Sequence, residues 1–408
     1  MTTTVTRRPR GSIWFLAGSV AVHAGNYAFN VVVAHGLAPA EYSDVALAVS
    51  GLLLAGFVTV GLQIATARMV ATGDVDPSQA ASLARWLSRV GFRAGVVVGV
   101  IGIAILPVLN RAFDTGSSAP LLGVMVALPF ALATGVGRGW LQGSDRFGRL
   151  ALSFQAEMVV RLGLGAGAVL LGHGVAGAVG GLVASVMVAA ALSLPPAGST
   201  TALDPVRRRT LVMTVGPSLM LLAGEALINH VDTIVAKAVF DPATAGQFAA
   251  IALLGRSVFF VTWPVSMLAF PAVASAAAVG GPVDRITRIA AGVVAAIGVA
   301  AVGIGFAAPG FIVGLALGGE YVGLSHLLGP YLAATGLFAV TSTLLSLRLA
   351  RGDERAGTVA VGGGVAVTLA LGLFHPSPEA VVWLQVGIMA VFLCVVCAWL
   401  RPRRGETP

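Results

Sequence analysis

The strongest constraint in this sequence is a series of long apolar runs. A helix that crosses a bilayer needs about 20 mostly apolar residues. The chain contains twelve runs of about this kind, at about 11–34, 45–67, 94–110, 119–137, 150–171, 175–195, 211–236, 246–275, 289–306, 323–347, 357–374 and 380–400. The runs are continuous, whereas the strands of a membrane β-barrel alternate apolar and polar residues. The pattern predicts an all-α integral membrane protein with about 12 transmembrane helices.

Composition supports this fold class. Of the 408 residues, 57% are hydrophobic and only 10% are charged, whereas a soluble domain carries about 25% charged residues. So few charges cannot cover the surface of a soluble protein of this length. A soluble enzyme, a disordered chain and a nucleic-acid-binding domain are therefore excluded, and the lipid bilayer is the expected surrounding.

The basic residues are distributed unevenly between the predicted spans. Of the 25 Lys and Arg residues, 21 fall at the two termini and in alternate loops, including Arg138 after the fourth run. The opposite loops hold only Arg111 and Lys237, and Arg161 and Arg256 fall inside runs. Because cytoplasmic loops carry the excess of basic residues, we expect a bacterial inner-membrane protein with both termini in the cytoplasm.

The two halves of the chain share a weak repeat. A shift of 203 residues places Asn26 on Asn229 and residues 39–40 on residues 242–243, which are Pro-Ala in both places. Two six-helix halves that both begin on the same side form a parallel repeat, and such transporters bind their cargo between the repeats. The predicted domains are an N-terminal six-helix lobe at 1–196, a cytoplasmic linker at 197–209, a C-terminal six-helix lobe at 210–400 and a cytoplasmic tail at 401–408.

Ionisable residues inside membrane spans are costly and usually face a cavity or a partner. Glu157 and Arg161 are four residues apart on one helical face and either pair with each other or line a cavity. Arg256 has no acidic residue one turn away on either side. It is either an anion-binding residue, since arginine binds phosphate through a planar fork of donors, or the partner of an acid on another helix such as Glu225 or Glu157.

Two polar stripes complete the candidate site. Glu225, Asn229 and Asp232 are spaced by four and three residues and share one face of the seventh run. His23, Asn26 and Asn30, spaced by three and four residues, form a matching stripe on the first run. The two runs correspond in the repeat, so both stripes are expected to face a cavity between the lobes. The stripe on the seventh run is suited to bind a cation or to relay a proton.

Other kinds of site are missing from the sequence. It has no P-loop for a nucleotide, no HExxH and no cluster of Cys and His with metal-ligand spacing. We therefore assign no catalytic residue, metal ligand or cofactor, and expect a protein that is not an enzyme. The energy for transport is expected from an ion gradient, the membrane potential or the gradient of the cargo.

Four short motifs keep a characteristic order along the chain. They are GLAPAEY at 36–42, LQG at 141–143 followed by RF at 146–147, FDPATAG at 240–246, and GGEY at 318–321. With Glu157 and Arg161 between them, these motifs resemble the polysaccharide flippases of the multidrug/oligosaccharidyl-lipid/polysaccharide exporter (MOP) superfamily, the Wzx type that handles O-antigen or teichoic acid-like glycans. The resemblance extends over about 11–400.

The resemblance implies two six-helix lobes with alternating access. It implies a cargo that consists of an oligosaccharide linked to undecaprenyl pyrophosphate, which moves from the cytoplasmic to the outer leaflet. Arg256 and Arg161 are then candidates for binding the pyrophosphate. Related multidrug exporters couple to cations through acidic cavity residues, which suggests H⁺ or Na⁺ at Glu225 and Asp232. The transport unit is expected to be a monomer.

Two alternatives remain open, and a third is disfavoured. The first is an ion-coupled multidrug exporter of the same superfamily. The second is a major facilitator transporter, because the loop DRFGR at 145–149 is similar to a loop of that family, although here it joins the fourth and fifth runs instead of the second and third. The third, a membrane-embedded glycosyltransferase or polymerase, would need a large outside loop, and the outside loops predicted here are short.

Overall fold

The chain is a bundle of helices. The computed structural model describes residues 10–71, 77–196 and 205–400, and within them no strand occurs. The α-helices follow in the order α1 (Arg10–Gly36), α2 (Pro39–Ala71), α3 (Pro77–Ala104), α4 (Leu106–Ala112), α5 (Ala119–Gly143), α6 (Phe147–Val160), α7 (Gly167–Leu170), α8 (Gly174–Ser193), α9 (Pro205–Val239), α10 (Pro242–Ala278), α11 (Val283–Ala307), α12 (Pro309–Leu317), α13 (Leu328–Ala350), α14 (Arg355–Leu373) and α15 (Pro378–Leu400). A π-helical turn, Arg161–Ala166, joins α6 to α7, and a 3₁₀ segment, Gly319–Leu327, precedes α13.

The predicted fold class is confirmed. Among the described residues, ten helices are long and apolar enough to cross a membrane, so the chain is a multi-pass membrane protein. The other two predicted spans, 11–34 and 150–171, correspond to α1 and to the segment that α6, the π turn and α7 form together. Neither of these is among the ten, and α6 alone has only 14 residues.

Several helices are longer than the apolar runs that predicted them. The third run was expected at 94–110, whereas α3 already begins at Pro77, so much of the predicted loop before it is helical. Likewise α9 begins at Pro205, inside the predicted linker. The remainder of that linker, 197–204, and the predicted tail at 401–408 lie outside the described residues. Polar residues extend these helices because backbone hydrogen bonding does not require apolar side chains beyond the bilayer core.

The repeated Pro-Ala pairs at 39–40 and 242–243 are the first residues of α2 and α10. Asp241 precedes α10, and its carboxylate accepts from the backbone N–H groups of Ala243 at 3.1 Å and Thr244 at 3.0 Å, as N-cap residues do. Hydrogen bonds from Thr244, and then from Ala243, lower the pKa of Asp241. At the start of α2, the Glu41 carboxylate accepts from the backbone N–H of Ala38 at 3.2 Å, which is the reciprocal contact of a capping box.

The helices of each half pack mainly against one another, and α2 makes the principal contacts between the halves. It packs along α9 and crosses the beginning of α10. At that crossing, a Cβ added to Gly246 would lie 1.7 Å from the carbonyl oxygen of Pro39, so the two repeated motifs touch each other. One large apolar cluster includes buried residues from both halves, such as Phe29 and Phe248. The domain boundaries themselves stay a prediction.

Candidate functional site

A cluster of charged residues in the first half centres on Glu157. Its carboxylate lies between two guanidinium groups, with Oε2 at 2.7 Å from Nη2 of Arg138 and Oε1 at 2.5 Å from Nη2 of Arg161. The three side chains come from α5, α6 and the π turn. The predicted pairing of Glu157 with Arg161 is therefore present, and a second arginine joins it. We call Asn26, Arg138, Glu157 and Arg161 the first-half cluster.

Arg138 had been predicted to lie in a cytoplasmic loop, and this prediction is wrong. Helix α5 continues to Gly143, and Arg138 is only 7% exposed. Its Nε and Nη2 atoms donate to the hydroxyl and the carbonyl oxygen of Ser153 at 3.0 and 3.1 Å, and its Cζ atom lies 3.7 Å from the ring centroid of Phe154. The glycines on both sides of Arg138 were the available signal, because small residues mark close helix contacts.

Arg161 connects this cluster to α1. Its Nη1 atom donates to Oδ1 of Asn26 at 2.9 Å, and Asn30 donates to the carbonyl oxygen of Asn26 at 2.9 Å. Its Nε atom is buried and has no hydrogen-bond partner within the described part of the chain. The π turn begins at this residue, and π bulges are frequent at functional sites. With two arginines and one glutamate, the first-half cluster has one more positive than negative charge and a donor that the protein leaves unused.

A second cluster lies between α9, α10 and α13. Arg256 pairs with the carboxylate of Asp232 at 2.7 Å and donates to the hydroxyl of Thr233 at 2.5 Å. The hydroxyl of Tyr331 donates to the other oxygen of Asp232, which is fully buried. Of the two interpretations of Arg256, the structure shows the ion pair with an acid on another helix. The acid is Asp232, not Glu225 or Glu157. We call these four residues the second-half cluster.

Glu225 has a different environment. Its carboxylate accepts from the hydroxyl of Ser342 on α13, and among the described residues no Lys, Arg or His forms an ion pair with it. Asn229 donates to the backbone oxygen of Glu225 at 3.0 Å, not to its carboxylate. Glu225 and Asp232 both contact α13, and the expectation that their shared face points into a cavity between the lobes stays a prediction. Glu225 is thus an acidic group inside a candidate span that has no compensating cation among the residues that the structure describes.

A small cavity lies beside the second-half cluster. Its polar lining consists of Asn229, Tyr331, Thr335 and Gln385, and its volume is about 20 Å³. The Oε1 atom of Gln385 is buried and has no hydrogen-bond partner. A cavity of this size holds one water molecule and is far too small for a sugar or a phosphate. Among the described residues, no group of three or more His, Cys, Asp and Glu side chains is placed to hold a metal ion.

Lys237 had been predicted to lie in an outside loop, which is also wrong. It lies in α9, is 2% exposed, and forms an ion pair with Asp44 of α2 at 2.8 Å. Asp44 had not been identified from the sequence. A carboxylate in the first turns of a helix is common at any helix start, so nothing in the sequence distinguished it from a surface residue.

No protein-family model matches the chain, and no curated protein shows significant sequence similarity to it. Solved structures do match. The chain aligns with the inward-facing conformation of a multidrug resistance MATE family transporter of the MOP superfamily at a TM-score of 0.72 and 16% identity, over 92% of each chain. It aligns with the lipid II flippase MurJ, in an inward closed conformation, at a TM-score of 0.77 and 11% identity, over 96% of this chain and 88% of MurJ.

The chain has the fold of MOP superfamily transporters. An outward-facing MATE transporter of the superfamily aligns less well, at a TM-score of 0.55 with 17% identity, over 95% of this chain and 93% of that chain. The identities are low, so the similarity shows the fold alone. Within this MOP fold, the structure brings Glu157, Arg161 and Asn26 together in one cluster and Asp232 and Arg256 in another, and it leaves Glu225 apart from both.

Proposed function

We propose that the protein is a flippase that moves a polyprenyl-pyrophosphate-linked oligosaccharide from the cytoplasmic to the outer leaflet by alternating access, for cell-surface polysaccharide synthesis. The observation that carries the proposal is the first-half cluster. It holds an excess positive charge beside α5, which is a candidate span, and an uncompensated charge at membrane depth is costly and often marks a functional site. A diphosphate carries the opposite charge and accepts several hydrogen bonds.

Arg161 has the stronger case for contacting the head group. The Nε atoms of Arg161 and Arg256 are both buried without a hydrogen-bond partner among the described residues, but Glu157 neutralises only one of the two arginines that it contacts. Arg256 is proposed as a second contact. Its charge is balanced by Asp232, so we expect a smaller contribution to anion binding from Arg256 than from Arg161.

The fold comparison supports a transporter of this kind. The neighbours include MurJ, a flippase of lipid II. They also include MATE transporters described as multidrug resistance proteins. The neighbours described above are MATE transporters and MurJ, and they give no support to the major facilitator alternative. We propose the bacterial inner membrane as the location, with both termini in the cytoplasm.

The experiment is a flipping assay in proteoliposomes. A fluorescent polyprenyl-diphosphate sugar is incorporated, and a membrane-impermeant quencher measures how much of it changes leaflet. We expect the Arg161→Gln variant to lose most of the flipping rate, while Arg285→Gln, which changes an exposed arginine, behaves like the wild type. Equal rates for the wild type and Arg161→Gln, in protein of equal yield, would contradict the role of Arg161.

Glu225 favours a second candidate, an ion-coupled multidrug exporter. An acid without a cationic partner inside a span can take up and release a proton or Na⁺ during transport. Mass spectrometry of the lipids that co-purify with the protein separates the two candidates. A sugar-diphosphate polyprenol supports the flippase. Its absence, together with saturable binding of cationic drugs that Glu225→Gln abolishes, supports the exporter.

Ion coupling is proposed through Glu225, with Asp232 as the second acid. Because Asp232 already balances Arg256, Glu225 is the group that is free to exchange an ion. We expect Glu225→Gln to remove the response of transport to an imposed pH or sodium gradient. Transport by Glu225→Gln that still follows either gradient would rule out Glu225 as the coupling site.

A further inference from the structure

The chain contains a single lysine, and the structure gives this residue an unusual position. Lys237 belongs to the second half, near the end of α9, yet its Nζ atom is bound entirely by the first half. Its three partners are Oδ1 of Asp44 at 2.8 Å, the hydroxyl of Ser43 at 2.8 Å and the carbonyl oxygen of Asp114 at 3.1 Å. The contacts with Ser43 and Asp114 are hydrogen bonds, and the contact with Oδ1 of Asp44 is an ion pair.

The geometry explains why this position holds a lysine in a chain that otherwise uses arginine. An ammonium is compact and directs three donors from one atom, whereas a guanidinium is a planar fork. Asp44 is fixed as well, because its Oδ2 atom accepts from the backbone N–H of Gly116 at 3.0 Å. We call Ser43, Asp44, Asp114 and Gly116 the socket.

The socket lies at the end of the bundle where the two repeated motifs meet. There Gly246 packs on Pro39, and the hydroxyl of Tyr321 donates to the carbonyl oxygen of Leu37 at 2.9 Å. These contacts also join residues of the second half to residues of the first half. Lys237 and the socket therefore belong to a set of contacts that closes this end of the space between the halves.

An ion pair is suited to a contact that opens and closes. Burying two charges costs much of what their attraction gains, so a buried pair contributes little net free energy relative to the hydrated charges. When the halves separate at this end, Lys237 and Asp44 regain water. A seam of apolar side chains alone would oppose separation more strongly, since it would expose apolar surface.

We infer that Lys237 and the socket are the gate that closes this end of the protein and opens once in each transport cycle. The inference rests on the proposed function, because an alternating-access transporter must open this end. It identifies Lys237 and Asp44 as residues that set the balance between two conformations. Neither of them is assigned a contact with the cargo.

The test measures access to the seam between α2 and α9. Ser50 is 2% exposed and lies seven residues after Ser43, which places it two turns along the same face of α2. The native cysteines are first removed as Cys394→Ala and Cys397→Ala, and Ser50→Cys then serves as the reporter. The rate of its reaction with a hydrophilic maleimide is measured on purified protein in nanodiscs without cargo.

Neutralising either charge should favour the open state. We expect Asp44→Asn and Lys237→Met each to raise the labelling rate about tenfold or more, because each leaves the other charge buried without its partner. Asp284→Asn is the matched control. It breaks the pair between Asp284 and Arg351 at 2.9 Å, which lies within the second half, and should leave the labelling rate unchanged.

Unchanged labelling in Asp44→Asn and Lys237→Met, with monodisperse protein, would overturn the gate. If neither variant folds, the labelling rate of the Lys237→Arg variant is measured instead. This variant keeps the charge and loses the three-point fit, so a rise in labelling supports the gate, and no rise overturns it. Because no cargo is present, the result is independent of the flipping assay. If Asp44→Asn or Lys237→Met is labelled faster but the wild type does not flip polyprenyl diphosphate, the gate is retained and the proposed cargo is rejected. If the wild type flips polyprenyl diphosphate but the labelling rate of both variants is unchanged, the cargo is retained and the gate is rejected.

Discussion

Replacing Glu157 with glutamine tests whether its carboxylate holds the first-half cluster together. The substitution keeps the shape of the side chain and removes the charge that lies 2.7 Å from Arg138 and 2.5 Å from Arg161. Removing one partner of a buried ion pair costs about 3–5 kcal/mol. Arg138 would keep Ser153 and Arg161 would keep Asn26, so we expect a loss near the lower limit, about 3 kcal/mol.

The double variant Arg138→Met with Glu157→Gln isolates the interaction between the two side chains. Once the charge at position 138 is gone, removing the carboxylate leaves only Arg161 without its ion-pair partner. The second substitution should then cost about 1–2 kcal/mol less than it does alone. The assay is equilibrium unfolding in mixed detergent micelles, followed by tryptophan fluorescence. Trp140, two residues from Arg138, reports directly on this region.

The more exposed pair of Asp284 and Arg351 provides the reference. The side chain of Asp284 is 82% exposed, so Asp284→Asn should cost less than about 1 kcal/mol. If Glu157→Gln falls in the same range, or if the double variant equals the sum of the single variants, then the carboxylate does not hold the two arginines. The positive charge that we assign to the head-group site would then need another explanation.

Three further predictions concern single contacts, and the same unfolding assay measures each of them. Tyr331→Phe removes the hydroxyl that donates to Asp232 and should cost about 1–2 kcal/mol. Asp241→Ala removes the N-cap of α10 and should cost about 1 kcal/mol. Because the folded pKa of Asp241 is lowered, this difference from the wild type should be complete at neutral pH, begin to fall near the unfolded pKa of about 4, and be lost as the pH falls through the lower folded pKa. Gly246→Ala places a Cβ 1.7 Å from the carbonyl oxygen of Pro39 and should cost about 1–3 kcal/mol.

Hydropathy predicted the helical membrane bundle because a long continuous apolar run is stable in a bilayer as a helix. The backbone must satisfy its own hydrogen bonds there, which leaves the helix for runs of this kind. Helical spacing also placed Glu225 and Asp232 on one face, and the structure directs both toward α13. The pairing of Glu157 with Arg161 follows from the same spacing.

The sequence did not predict ion pairs between residues that are distant in the chain. Arg138 was assigned to a loop because the apolar run before it ended, yet α5 continues and brings Arg138 to a glutamate 19 residues later. The π turn at Arg161 has no signature in the composition. Arg256 lacked an acidic neighbour on its own helix, and only the packing of α9 against α10 supplies Asp232.

The sequence by itself determined that the chain crosses a membrane as helices, approximately where the apolar part of each helix lies, and that some of its polar residues, such as Glu157 and Arg256, need a partner or a cavity. Tertiary structure alone decided the pairing of those residues. Hydropathy and helical spacing depend on neighbours within a turn or two, whereas an ion pair depends on which helices become adjacent. Lys237 illustrates the difference. In sequence it is one basic residue near the end of an apolar run, and only the packing of α2 against α9 places it on Asp44, 193 positions earlier in the chain.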